Sequence, residues 1–155
     1  MVVPDGLGYR IIRSRREEPI IAASITHIVG YSDWSLLVTL FIDEFGVEFV
    51  KKALALTPRA KHVKLVTRKE HQQISLVEEL KNEAEKLGYE LEVEVSKRLH
   101  VKIYASDHRL LITSANLLES SLLKNVEVCV YVEEVVREIE NILEFNSGSS
   151  GSGLL

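Results

Sequence analysis

Apolar positions recur with two different periods along the chain. Phe45, Phe49, Ala53 and Leu56 return every three or four residues, as do Leu76, Leu80, Ala84 and Leu87, and side chains at that spacing share one face of a helix. Tyr89 to Val95 alternates instead, with Glu90, Glu92 and Glu94 opposed to Leu91, Val93 and Val95. That two-residue period predicts a strand with one wet face, near a sheet edge. Ser35 to Ile42 is continuously apolar, as a strand covered on both faces would be. Val63 to Thr67 and Asn125 to Val132 read as further strands, and Tyr9 to Ile12 is the one strand-like piece of an arm or edge strand over residues 1–18.

Capping residues supply the helix boundaries. Pro19 opens and Gly30 closes the apolar run Ile20 to Val29, the proline-first, glycine-last asymmetry of a helix. Asp43 can cap the next helix, which ends before Thr57-Pro58. Ser75-Leu76-Val77-Glu78 has the form of a capping box for a third, stopped by Gly88. A short helix is expected over Leu117 to Leu123, and a closing one over Glu133 to Phe145, with Val132, Val135, Val136, Ile139, Ile142 and Leu143 on one face. Strands separated by helices, then adjacent strands, predict an α/β fold: a mixed β-sheet flanked by helices on both faces. Residues 1–146 form the single domain, and 147–155 have the Gly/Ser composition of a linker.

Composition narrows the class. With 155 residues, 46% of them hydrophobic and 27% charged, one globular domain with a sizeable core is expected. No apolar run reaches the roughly 18 residues of a membrane span, and the first twenty residues lack an apolar leader, so a soluble, cytoplasmic protein is expected, without a membrane partner. Cys129 is the single cysteine and reads as a buried strand residue. The formal charge of −4 gives no global support for polyanion binding. Its distribution is uneven: Arg59, Lys61, Lys64, Arg68 and Lys69 cluster between Thr57 and His71, and acids crowd the C-terminal segment. His27, His71 and His108 lack zinc-like spacing and partners, so no metal site is expected. Trp34 could stack on a base, although a core role is the better reading.

The chemistry concentrates at His100-Val101-Lys102 and Thr113-Ser114-Ala115-Asn116. Residues two apart in a strand point the same way, so a base or nucleophile, His100, stands beside a cation, Lys102. A strand over Leu110 to Thr113 returns along them and delivers a hydroxyl and an amide, groups that can hold an anion such as phosphate. Asp107 sits at the turn, seven residues or about 23 Å from His100 if extended. His62-Val63-Lys64 repeats His-x-Lys without a following Ser-x-Asn and reads as a basic strand flank. Arg68 and Lys69, past the C-terminal end of a strand, and Arg98 are candidates for a nucleic-acid groove.

His100-x-Lys102, four residues, Asp107, then Ser114-x-Asn116 resembles the signature of the phospholipase D superfamily. Thr113 stands where that family usually has glycine, and one residue is missing between Asp107 and Ser114. The resemblance implies a phospholipase D-like single lobe in which His100 attacks phosphorus to give a phosphohistidine and Lys102, Ser114 and Asn116 hold the phosphate. It implies that Glu127, after Asn125-Val126, orients His100, and leaves Asp107 a structural role in the turn or at a subunit contact. No cofactor is implied. The chemistry uses two histidines and the chain carries one complete motif, so a homodimer is expected. The implied activity is a metal-independent phosphodiesterase, a nuclease with DNA ahead of RNA as substrate. Two alternatives stand beside it: a catalytically silent domain that binds nucleic acid or mediates assembly, favoured by Thr113 and the missing residue, and a phospholipid phosphodiesterase or transferase.

Overall fold

A computed structural model describes residues 9–57, 61–68, 70–107 and 109–133. In chain order these form β1 (Tyr9–Ser14), α1 (Ile20–Gly30), β2 (Trp34–Val38), α2 (Glu44–Leu54), β3 (His62–Thr67), α3 (His71–Lys86), β4 (Glu90–Val95), β5 (Ile103–Ser106), β6 (Arg109–Thr113), a π-helical turn (Ser120–Lys124) and β7 (Glu127–Glu133). The seven strands make one sheet in the order β1-β7-β6-β5-β2-β3-β4. β2, β3 and β4 run parallel, and every other pairing is antiparallel. The expected mixed α/β sheet is therefore the observed one. The alternating strand β4 and the N-terminal strand β1 are its two edges.

One face of the sheet carries the main core. Ile21, Ile25 and Ile28 of α1, Val47 and Val50 of α2, and Leu80 and Ala84 of α3 pack there against Leu37, Leu65, Tyr104, Leu111 and Cys129. The opposite face buries Leu36, Val38, Val66, Ile103, Ala105 and Leu110 together with Leu40 and Leu99, and Trp34 packs against this group. The closing helix expected over Glu133 to Phe145 falls, beyond Glu133, outside the described residues, as does the 147–155 tail. No helix among the described residues is long and apolar enough to cross a membrane.

Local signals held where nothing distant competed with them. Asp43 caps α2 by accepting the Gly46 N–H at 2.8 Å, and Gly88 ends the third helix with φ +79°, a conformation that costs other residues more. Three readings need correction. The capping box at Ser75 does not start α3, which begins one turn earlier at His71; the side-chain bonds of Gln73 to distant backbone fix that first turn. The strand expected to run to Ile42 ends at Val38, because the Thr39 hydroxyl donates to Phe41 O at 2.8 Å and turns the chain. The short helix expected over Leu117 to Leu123 is a π turn that starts at Ser120.

Candidate active site

Sheet register gathers the motif. β5 and β6 pair Ile103 with Ile112, and the Thr113 N–H donates to Lys102 O at 3.1 Å, which extends the ladder by one step. β6 and β7 pair Thr113 with Cys129, and Ser114 N–H continues to Val128 O at 3.1 Å. On the other side β2 pairs Val38 with Ile103, so the chain leaves β2 beside Lys102. Lys102, Thr113, Ser114, Asn116 and Glu127 therefore meet at the end of the sheet where the parallel strands β2 and β3 terminate, the end at which α/β sheets place ligands. His100, two residues before Lys102, is exposed, and Lys102 is half-buried. Asp107 follows β5 at the far end of the hairpin, away from this group.

The departure from the expected glycine has a structural consequence. Thr113 Oγ1 donates to Val128 O at 2.9 Å and accepts the Ala115 N–H at 3.1 Å. One hydroxyl thereby ties the end of β6 to β7 and bends the chain into the Ser-x-Asn segment. Ser114 is engaged too. Its hydroxyl makes a short hydrogen bond to Oε2 of the buried Glu127 and accepts the Val128 N–H at 3.1 Å. Glu127 was expected to orient His100; its hydrogen-bonding partner among the described residues is Ser114 instead.

Asn116 is fixed from the opposite side. Its Oδ1 accepts Leu40 N–H at 3.1 Å and Phe41 N–H at 3.3 Å, and lies 3.3 Å from the Thr39 hydroxyl. Two backbone donors settle which end of the amide is oxygen, and the Nδ2 hydrogens are what an arriving anion can engage. Beneath the segment, the fully buried Tyr104 donates its hydroxyl to Ala115 O at 3.0 Å. Burial pushes the Tyr104 phenol far above the usual tyrosine range; a bond with Thr39 pulls the other way, and the Glu127 charge adds to the rise.

Gln73 was not among the expected site residues. It is 5% exposed and reaches from α3 to the loop that holds Asn116. A signal was present: position 73 is seven residues before Leu80, so a polar amide occupies the apolar stripe of the helix. Thr39, which interrupts an apolar run, is a second signal of the same kind.

The basic run contributes less to a groove than its count suggests. Lys61 is buried and donates to Leu54 O at 2.6 Å and Thr57 O at 3.2 Å. Lys64 pairs with Glu94 at 3.0 Å and Glu92 at 3.6 Å. His62 Nδ1 lies 3.2 Å from Glu90, in keeping with the strand-flank reading of His62-Val63-Lys64. Arg68 is half-buried past the end of β3, Arg98 is exposed in the turn before His100, and Lys69 lies outside the described residues. A cleft of about 990 Å³ is lined by Phe41, Phe45 and Leu118 together with the acidic residues Asp43, Glu44, Glu70 and Glu119. A polyanion is disfavoured there by charge.

Residues 34–145, more than half of the chain, match the family described as cardiolipin synthase, PLD-like domain. The chain belongs to the PLD-like domain family. Its fold agrees with solved structures of that kind. Nuc from Salmonella typhimurium, a phospholipase D family member, superposes with a TM-score of 0.65 at 16% identity, over 88% of this chain and 90% of that one. NucT from Helicobacter pylori gives 0.59 at 11% identity, over 88% and 92%. TrmBL2, an archaeal chromatin protein whose structure is described as showing a novel mode of DNA binding, gives 0.53 at 13% identity, over 93% of this chain and 51% of that one. At such identities the likeness is one of fold. No curated protein matches the chain by sequence. The PLD-like assignment agrees with the resemblance read from the His-x-Lys and Ser-x-Asn segments.

Proposed function

We propose that this PLD-like chain is a phosphodiesterase that cleaves DNA through a phosphohistidine formed on His100. The observation that carries the reading is that the sheet register brings Lys102, Ser114 and Asn116, in a chain of this family, to one end of the sheet, with His100 two residues before Lys102. Neutral imidazole of His100 attacks phosphorus, and the bond from phosphorus to the leaving oxygen breaks. A second, protonated histidine gives its proton to that oxygen and then takes one from the water that attacks the phosphohistidine, which frees His100. The ammonium of Lys102 and the Nδ2 hydrogens of Asn116 balance the charge on the non-bridging oxygens. Ser114 acts here through its bond to Glu127, and Glu127 turns to the second ring nitrogen of His100 once phosphate is bound. Arg98 and Arg68 are the cations that this reading assigns to the DNA backbone.

The second histidine comes from a second copy of the chain, across a two-fold axis that passes beside the site. No metal or cofactor takes part in this scheme. The test is hydrolysis of plasmid DNA, RNA and bis(p-nitrophenyl) phosphate in chelator, with the solution mass measured alongside. DNA cleavage in chelator by a dimer is expected. A fully active monomer, or activity that chelator abolishes and a divalent ion restores, contradicts the scheme.

One observation favours a second reading. Ser114 and Glu127 are satisfied by each other, an arrangement that is complete without substrate, and TrmBL2 is described as a DNA-binding chromatin protein. A domain that holds DNA without cutting it would bind plasmid DNA in a salt-dependent way and leave all three substrates intact. A phospholipid substrate is the third reading, and hydrolysis of lipid vesicles with DNA left intact would select it.

A further inference from the structure

Gln73 has the bonding of a part built to hold something still. Its Oε1 accepts Ile42 N–H at 2.8 Å. Its Nε2 donates to Arg68 O at 3.1 Å and stands 3.4 Å from both Leu40 O and the Thr67 hydroxyl. One side chain from the first turn of α3 thus joins the loop after β2 to the end of β3. The same loop is gripped from the other side by Asn116, which accepts the N–H groups of Leu40 and Phe41. Leu40 is shared, its N–H facing Asn116 and its carbonyl facing Gln73 and Thr67. Asp43 N–H then reaches Leu117 O at 3.2 Å, so the loop is also tied to the residue after Asn116.

A buried amide bound only to its own helix would be a matter of stability alone. Gln73 differs because two of its partners, Leu40 O and Ile42 N–H, belong to the short loop whose Leu40 and Phe41 N–H groups fix the orientation of Asn116. We infer that Gln73 is a positioning residue for the phosphate-binding end of the sheet: through the Leu40–Ile42 loop it holds Asn116 with Oδ1 inward and Nδ2 toward the substrate. The inference rests on the phosphodiesterase reading, in which Asn116 touches the phosphate. Gln73 itself touches no substrate. Losing it frees the loop, Asn116 then samples orientations that present no donor, and small misplacements of a phosphate donor are costly to rate.

The experiment is a double-mutant cycle on bis(p-nitrophenyl) phosphate hydrolysis with Gln73→Ala, Asn116→Ala and the pair, each checked for folding by circular dichroism and thermal melting. Gln73→Glu is run in parallel. It keeps the volume and the acceptor for Ile42 N–H but, ionised, cannot donate to Arg68 O, so it serves if the alanine variant does not fold. Gln73→Ala is expected to lower kcat/KM by roughly ten- to hundredfold, and Gln73→Glu to fall in the same direction. In the Asn116→Ala background the Gln73 change should lower it by less than about threefold, because the group being positioned is gone. An equal loss in both backgrounds, or no loss with a folded Gln73 variant, overturns the inference. Undiminished hydrolysis by a folded Asn116→Ala protein overturns the inference as well, because Asn116 then has no role to position, whereas no hydrolysis by the unsubstituted protein overturns the phosphodiesterase reading on which it rests, so the two failures are separable.

Discussion

Replacing Tyr104 by phenylalanine tests the floor of the site. The Tyr104 hydroxyl donates to Ala115 O at 3.0 Å, and both residues are fully buried. Phenylalanine keeps the packing and removes the donor, leaving a buried carbonyl without it. That loss costs about 1–3 kcal/mol, or a melting temperature lower by about 2–12 °C for a domain of this size. The phenol also carries a sign that a packing defect does not. Its pKa in the fold is raised by burial above the value of about 10 in an unfolded chain. A group with a raised folded pKa gives its full stability below the unfolded value and loses it as pH climbs toward the folded one, at up to about 1.4 kcal/mol per pH unit. Urea unfolding at about pH 7 and at about pH 11 measures both effects, given the rise in the unfolded chain near pH 10. The phenylalanine variant should be the less stable at neutral pH, and the gap should narrow or invert at the alkaline end. Equal stability at neutral pH, or a gap unchanged across the range, would refute the reasoning.

Two further outcomes follow from burial and close approach. A Cβ added at Gly46 would stand 2.0 Å from Leu117 O, a backbone atom that cannot swing aside, so Gly46→Ala should force α2 from the Asn116 segment at a cost of about 3 kcal/mol or more, seen in urea unfolding; a cost under about 1 kcal/mol would contradict the packing. Burial pushes the Cys129 thiol to about 11, so a disulfide reagent at mildly alkaline pH should label the native protein only as fast as it opens, and rapid stoichiometric labelling in native buffer would be inconsistent with a buried β7 cysteine.

The elements that were legible in the sequence are those whose signals are local. The stripe of α3, the alternation of β4, the Asp43 cap and the Gly88 stop depend on neighbours a turn or a pleat away, and each is where the pattern put it except at the last position of the stripe and of the alternation, where Leu87 and Val95 are exposed. The misread boundaries share a cause. At Ser75 a valid capping box was outvoted by the bonds of Gln73 to Leu40, Ile42 and Arg68, and at Thr39 an apolar run was turned by a hydroxyl and by Asn116, which is 77 positions away from Thr39. Spacing placed Lys102, Ser114 and Asn116 at one end of the sheet, because register follows from two-residue alternation and a short hairpin, and the family resemblance added Glu127. It did not supply their partners. The Ser114–Glu127 bond depends on how Thr113 closes the shortened return from Asp107, and no residue pattern encodes that angle. Charge counting failed for a related reason: Lys61 and Lys64 read as part of a basic patch, and in the fold they are committed to the end of α2 and to the acids of β4.

In the proposed reaction His100 carries the phosphoryl group. Reaction with a phosphodiester labelled with ³²P at phosphorus, followed by rapid alkaline quench and peptide mapping, reads it directly. An acid-labile, base-stable label is expected on the peptide containing His100, absent from His100→Ala, which should also lose hydrolysis. Undiminished hydrolysis by a folded His100→Ala protein, or label on another residue, would contradict it.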